Sequence, residues 1–371
     1  MRYGTKHDSQ VRVHDTATID DMVVIAGNVI IGKYARIGFG SLLLGDPSGA
    51  PITIGEHARL GPGTKIRASK HPITIEDEVS IGPGCIINYD NKNPGMPGTG
   101  PVRIGRGTIL GPYCLINNHV DIGEDNHLGV FTRLEFYVTL GKHNRLRGCF
   151  LGVDPQDRIF ESELDDAEER DETTTPTYVS IGDNNVIREG VRISRGTTKN
   201  ADRTTRVGNG NFIMDNTHVA HDCIIHNNST ITTGCKLAGH CAIEDYVNLS
   251  GAVKMAPYLR IGRCAFITGN ATVAEDVPPY FVSDGKACSV PNYEGIRRML
   301  RQTRKQFTET DCARLEQSLG TMRDHLNGKV PLEQLLQSDD GDVRTWATWL
   351  RESHERKQQR RPRFKRGLET F

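Results

Sequence analysis

Counting in sixes from Val207 gives Ile213, Val219, Ile225, Ile231, Leu237, Ile243, Leu249, Met255, Ile261, Ile267 and Val273, every one aliphatic or Met. An amphipathic helix repeats every 3.6 residues and a half-buried strand every two, so neither keeps a period of six. The pattern predicts a solenoid whose short faces each turn one large apolar side chain inward. The same count runs from Val13 to Leu43, Ile54 to Ile66, Ile75 to Ile87, Ile104 to Leu146 and Ile181 to Ile193, with Leu151-Gly152 as a slipped hexad. Many of these residues precede Gly, as in Ile31-Gly32 and Ile104-Gly105, read here as relief where the backbone turns tightly.

Four residues after each aliphatic position comes a small or apolar one, such as Ala35, Ser41, Thr217, Ser229, Val247 and Ala271, with Asn211 as an exception. Large and small side chains then share a narrow interior. Three hexads close one triangular coil of a parallel β-helix. The interruptions at 44–53, 67–74, 88–103 and 194–206 fall after whole coils, so every inserted loop is expected at one corner. The count predicts about twelve coils, a prism roughly 55–60 Å tall at the strand spacing of about 4.8 Å.

Pro278-Pro279 is expected to end the prism. Beyond Tyr293 the spacing turns helical: Ile296, Leu300 and Phe307, then Leu315, Leu319, Met322 and Leu326, then Leu332, Leu335 and Leu336, then Val343, Trp346 and Leu350. The expected division is 1–101, additional coils; 102–280, the main prism; and 281–371, a helical domain with a basic tail.

Formal net charge is zero, which gives no global field for nucleic acid. No apolar stretch reads as a signal or a membrane span. The nine cysteines form no CxxC pair, and Cys85, Cys114, Cys223, Cys235 and Cys241 fall on the small inward position. They are expected as reduced core thiols in a cytoplasmic protein. Residues 161–175, ESELDDAEERDETTT, read as a solvated acidic loop.

Chemistry concentrates at one height. In His218-Val219-Ala220-His221-Asp222, Val219 points inward, so the flanking residues face out or turn. Residues eighteen apart stack on adjacent coils, which puts His221 beside Gly239 and Asp222 beneath His240. Two imidazoles and a carboxylate suit general-base work. Asp222 directly follows His221, so an in-chain bond between them needs unusual geometry. A zinc site between subunits and plain surface histidines stay open as alternatives.

From about 103 to 355 the chain resembles the acyl-carrier-protein–UDP-N-acetylglucosamine O-acyltransferases of lipid A biosynthesis. The segments that carry the resemblance are QDR at 156–158, IREGVRISRGT at 187–197, NTHVAHDC at 216–223, LAGH at 237–240, VAEDVPPY at 273–280 and NYEGIRR at 292–298. It implies a homotrimer of left-handed prisms with active sites between them, no cofactor or metal, and acyl carrier protein and a UDP-amino sugar as partners. By position it implies His221 as general base, Asp222 as its orienting partner and the Gly251 amide as oxyanion donor. Asp157, His218, His240, Asn292, Glu294 and Arg298 would contact substrate, and Gly269 would gauge acyl length. The helical face of Arg297, Arg301, Arg304 and Lys305 would dock the carrier protein. This chain departs from the family in reading Ala256-Pro257 for a His-Gln pair, Ile159 for a Lys, and a shortened Gly285-Lys286-Ala287.

Overall fold

The structure is a computed structural model describing residues 10–47, 49–68, 70–88, 100–157, 176–303 and 309–368. The hexads wind a left-handed parallel β-helix with three sheets, two of 12 strands and one of 14. Sheet I runs from Val11–Val13 to Arg260–Ile261, and sheet III from Val24–Ala26 to Thr272–Val273. Sheet II runs from Thr18–Ile19 to Phe266–Ile267 and then gains the hairpin Phe281–Ser283 and Cys288–Pro291. The pairing confirms the eighteen-residue coil, as in His218 beside Lys236 and Lys236 beside Lys254.

The inward positions are those expected. Ile213, Val219, Ile231, Ile243 and Leu249 are fully buried, and so are the small residues Ala35, Val247 and Val253 between them. Cys85, Cys114, Cys223, Cys235 and Cys241 are buried free thiols. Burial comes first among the causes that push the Cys223 and Cys235 thiols up from their ordinary range. The slipped hexad is real: Leu151 faces inward, and the register against the next coil shifts between Leu151 and Val153.

Two backbone details went beyond the pattern. The residue three places after most core positions takes the left-handed conformation, as in Asn216, Asp222, Asn228, His240 and Gly210. Asn, Asp, His and Gly tolerate that region best. The glycine directly after the core position serves another purpose. A Cβ on Gly105 would lie 2.5 Å from the backbone of Gly123, so close coil stacking requires it, with no positive φ involved.

Asn211 is part of a ladder along the interior. Asn126 Oδ1 accepts from the Asn144 amide, Asn144 Oδ1 from Asn185, Asn185 Oδ1 from Asn211, and Asn211 Oδ1 from Ser229, each at 2.8–2.9 Å. Asn185 also donates to Gly208 O. Asn185→Ala should strand a buried N–H and lower stability by about 2 kcal/mol. The check is the denaturant midpoint, which should fall at constant slope; an unchanged midpoint would mean the ladder adds nothing.

No break in the core falls at 101–102. Ile73–Ile75 pairs directly with Val102–Ile104, and one apolar cluster runs from Val23 to Val277. The helices are α1 (Tyr293–Thr303), α2 (Glu309–Leu326), α3 (Leu332–Leu336) and α4 (Gly341–Leu368). Ile296, Leu319, Met322, Leu335, Val343 and Trp346 bury a second core against Cys264 and Phe281. Trp346 Nε1 donates to Pro279 O at 3.1 Å, which ties α4 to the prism end. Phe307 and the acidic stretch 161–175 lie outside the described residues. Among the described residues, no helix is long and apolar enough to cross a membrane.

All inserted loops leave at the corner where sheet III passes to sheet I, between Leu42–Leu44 and Ile52–Ile54, Lys65–Arg67 and Ile73–Ile75, Ile86–Ile87 and Val102–Ile104, and Phe150–Val153 and Tyr178–Ile181. The last such loop, 195–203, joins Arg192–Ser194 to Thr204–Val207 one coil below His221.

Candidate active site

His221 and Asp222 occupy the turn between His218–Val219 of sheet III and Ile224–Ile225 of sheet I, on this same loop-bearing corner. Asp222 has φ of 59°, the left-handed conformation shared by His119, Tyr137, His240 and Tyr258 at the same place in other coils. That conformation supplies the unusual geometry: Asp222 Oδ2 lies 2.9 Å from Nδ1 of the residue just before it. An ionised carboxylate only accepts, so Nδ1 carries a proton, and the tautomer of the neutral ring has its lone pair on Nε2.

Asp222 is buried at 3% exposure and held on several sides. Thr197 donates to it from its amide at 2.9 Å and its hydroxyl at 2.7 Å. The Asp222 amide donates to Thr205 Oγ1 at 2.8 Å. Burial alone would raise the carboxyl; the bonds from His221 and Thr197 outweigh it and hold the group below the usual carboxylate range.

His240, one coil on, places Nε2 3.6 Å from Asp222 Oδ2, and its ring meets His221 edge-on with centroids 5.2 Å apart. Tyr258, another coil on, stacks on His240 at 4.3 Å and 4°. Burial holds the His240 imidazole below its ordinary range, with Asp222 opposing. His218 lies on the outer side of sheet III beside Arg192 and Lys236. It is also lowered, by burial first and then by Lys236 and Arg192.

Asp157, from the loop after Phe150–Val153, places Oδ2 3.9 Å from His221 Nε2. Lys199 donates to that same oxygen. Ile159 lies outside the described residues, yet Asp157 still has an ammonium beside it, from a different loop.

His221 does not face out freely, as the hexad pattern suggested. It is 9% exposed within one chain, because Asp157 and the 195–203 loop cover the turn. Gly239 stacks on it so closely that a Cβ there would lie 2.5 Å from His221 Cε1. His221, Asp222 and His240 bring their nitrogen and oxygen atoms within 4.8 Å of one another. Asp222 already accepts on both oxygens, from Thr197 and His221.

Three sets of expected residues fall on three different corners. His221, Asp222, His240 and Asp157 share the III–I corner. Gly251 and Gly269 follow Asn248–Leu249 and Phe266–Ile267, which puts them on the II–III corner. Within one chain Gly251 therefore lies away from His221, and the glycine at the ring is Gly239. Asn292 lies just before α1, and Glu294 and Arg298 belong to it, at the I–II corner, where Arg298 donates to Asn228 O at 3.2 Å.

Asn292 has a structural task there: it caps α1 by accepting from the Gly295 amide at 3.1 Å and donates to Cys264 O. Glu294 pairs with Arg297, both well exposed. Arg301 is exposed on α1, while Arg304 and Lys305 lie outside the described residues. In place of a His-Gln pair, Ala256-Pro257 stands on the turn whose Tyr258 covers His240. Sequence reasoning gave no role to Gly239, Thr197, Lys199 or Tyr258. The eighteen-residue stacking could have singled out Gly239 and Tyr258; nothing in the pattern marks the two loop residues.

A family model of the bacterial transferase hexapeptide, six repeats, matches residues 204–239, which span this turn. A UDP-N-acetylglucosamine acyltransferase from Bacteroides fragilis is 26% identical, with a TM-score of 0.58 over 72% of this chain and 96% of that one. The enzyme of that name from Moraxella catarrhalis is 21% identical, covering 92% of this chain and 97% of that one at a TM-score of 0.44. The Arabidopsis enzyme is 22% identical, covering 92% and 96% at a TM-score of 0.45. A hexad prism that carries a His-Asp turn at this corner, and that follows nearly the whole length of the Bacteroides enzyme, marks this chain as a hexapeptide-repeat acyltransferase similar to the UDP-N-acetylglucosamine acyltransferases.

Proposed function

We propose that the protein transfers an acyl group, expected to be 3-hydroxylated, from acyl carrier protein to the 3-hydroxyl of UDP-N-acetylglucosamine or a closely related UDP-amino sugar. This would be an opening step of lipid A synthesis. The observation that carries the reading is the His221 ring, with Nδ1 bonded to buried Asp222 and Nε2 aimed at the Asp157 side of the corner.

In this mechanism Nε2 takes the hydroxyl proton as the sugar oxygen attacks the thioester carbonyl. Asp222 stabilises the imidazolium that forms. The tetrahedral intermediate collapses with cleavage of the C–S bond, and the leaving thiolate takes the proton from Nε2. The oxyanion donor expected at Gly251 is better served by the Gly239 amide, which sits at the ring and makes no hydrogen bond among those of the described backbone. The spread of the other family residues over three corners supports a homotrimer, in which a neighbouring copy would bring its own corner to this one.

The test uses purified protein, carrier protein loaded with acyl groups of graded length, the matching acyl-CoAs, and UDP-N-acetylglucosamine with its 3-amino analogue. Mass spectrometry should show an O-acylated sugar nucleotide made from the carrier thioester, and light scattering should show activity with a trimer. Charge reversal at Arg301 together with Arg304 should raise the KM for carrier protein about 3- to 10-fold, and salt should raise the parent KM. Acyl-CoA serving equally well, with no effect of salt or reversal, would remove the carrier-protein assignment. No acylated product on any UDP sugar would remove the reaction.

A further inference from the structure

The loop 195–203 leaves the prism at the His221 corner and sends two side chains back to it. Thr197 holds Asp222 through two bonds. Two residues on, Lys199 Nζ donates to Asp157 Oδ2 at 2.5 Å. That same Oδ2 lies 3.9 Å from His221 Nε2. One carboxylate oxygen is therefore shared between an ammonium and the ring nitrogen that must stay free of a proton.

We propose that Lys199 is a positioning residue that keeps the His221 ring in its neutral, proton-accepting form by holding and neutralising Asp157. The inference rests on His221 acting as the base described above.

The physical reason is the set of charges around the ring. Asp222 faces Nδ1 from the same turn, and Asp157 faces Nε2 from the loop after Phe150–Val153. His240 approaches edge-on from the next coil. His218 lies on the same hexad, with Lys236 and Arg192 beside it on neighbouring coils. A carboxylate within about 4–6 Å favours a charged imidazole. Two of them, on opposite nitrogens, would trap an imidazolium, which accepts no proton.

Asp222 fixes the tautomer and cannot be spared. Asp157 is the carboxylate that needs a counter-charge, and Lys199 is a cation in contact with it. Both groups are partly covered, at 36% and 14% side-chain exposure, so solvent screens the pair less than an open surface pair. The neighbouring ring feels the same opposition: near His240, Asp157 favours the charged form and Lys199 disfavours it.

The experiment compares Lys199→Met, Lys199→Arg and the double variant Asp157→Asn/Lys199→Met in full-length protein. In kcat/KM against pH, the acidic limb of Lys199→Met should move up by about one unit, a loss of about tenfold at pH 6 and much less at pH 8. Lys199→Arg should keep the parental limb. The double variant should bring the limb back, because the carboxylate that Lys199 offset has gone, while its KM stays raised. NMR of the substrate-free protein, labelled at His and assigned with His221→Gln, supplies a readout independent of turnover. The ring at 221 should hold its proton to higher pH in Lys199→Met. An equal loss at every pH, with an unmoved ring titration, would overturn the proposal and leave the base assignment standing. Near-parental turnover in His221→Ala would sink the base assignment, and the ring titration would still report whether Lys199 controls the charge at 221.

Discussion

His221→Ala should lower kcat by about 10²- to 10⁴-fold, the usual worth of a positioned general base. The ring is bonded to Asp222 through Nδ1 and presents Nε2 beside Asp157, so no second imidazole stands ready in the same pose. His240 is near, but its Nε2 points at Asp222 Oδ2 from 3.6 Å and its face is taken by Tyr258. The prism should survive, because the inward residues of that hexad are Val219 and Cys223. Steady-state rates at saturating substrates, with circular dichroism as the folding control, check this. Turnover within a few-fold of the parent would end the general-base mechanism.

Gly239→Ala should cost about 10²-fold in kcat, with little loss of stability, since misplacing a catalytic group by about 1 Å is enough for that. The backbone at 239 is not in the left-handed region, so alanine is unstrained there. Its Cβ, however, would lie 2.5 Å from Cε1, 2.8 Å from Nε2 and 3.0 Å from Nδ1 of His221. Something must yield, and the ring is what can move, at the expense of its bond to Asp222. A structure of the variant should show the imidazole displaced. A ring that keeps its place, with normal turnover, would refute the close stacking on which the site rests.

How far these residues could be read without coordinates depends on what holds each in place. The hexads were legible because each inward side chain meets the same environment every six residues, from Val13 to Val273. The corner of the insertions was legible for the same reason, since whole coils must close before the chain can leave. His221 and His240 could be put side by side from their spacing alone. The His221–Asp222 bond could not be read this way: it depends on a left-handed φ at Asp222, and the apolar pattern is silent about backbone sign. Asn211 looked like a defect in the small register because its partners Asn185 and Ser229 are one coil away on either side.

The periodic part of this protein was thus set by its sequence alone: the prism, about twelve coils, the buried thiols, the helical end and the height of the histidines. The tertiary structure decided what periodicity does not control. It covered His221 with Asp157 and the 195–203 loop, and drew Thr197 and Lys199 onto two carboxylates from outside the repeat. It also sorted the expected site residues onto three corners, with Gly239 rather than Gly251 against the ring. The physical reason is that burial repeats with the coil and is written in residue type. Loop contacts and the choice of corner depend on where a chain that has left the register comes back.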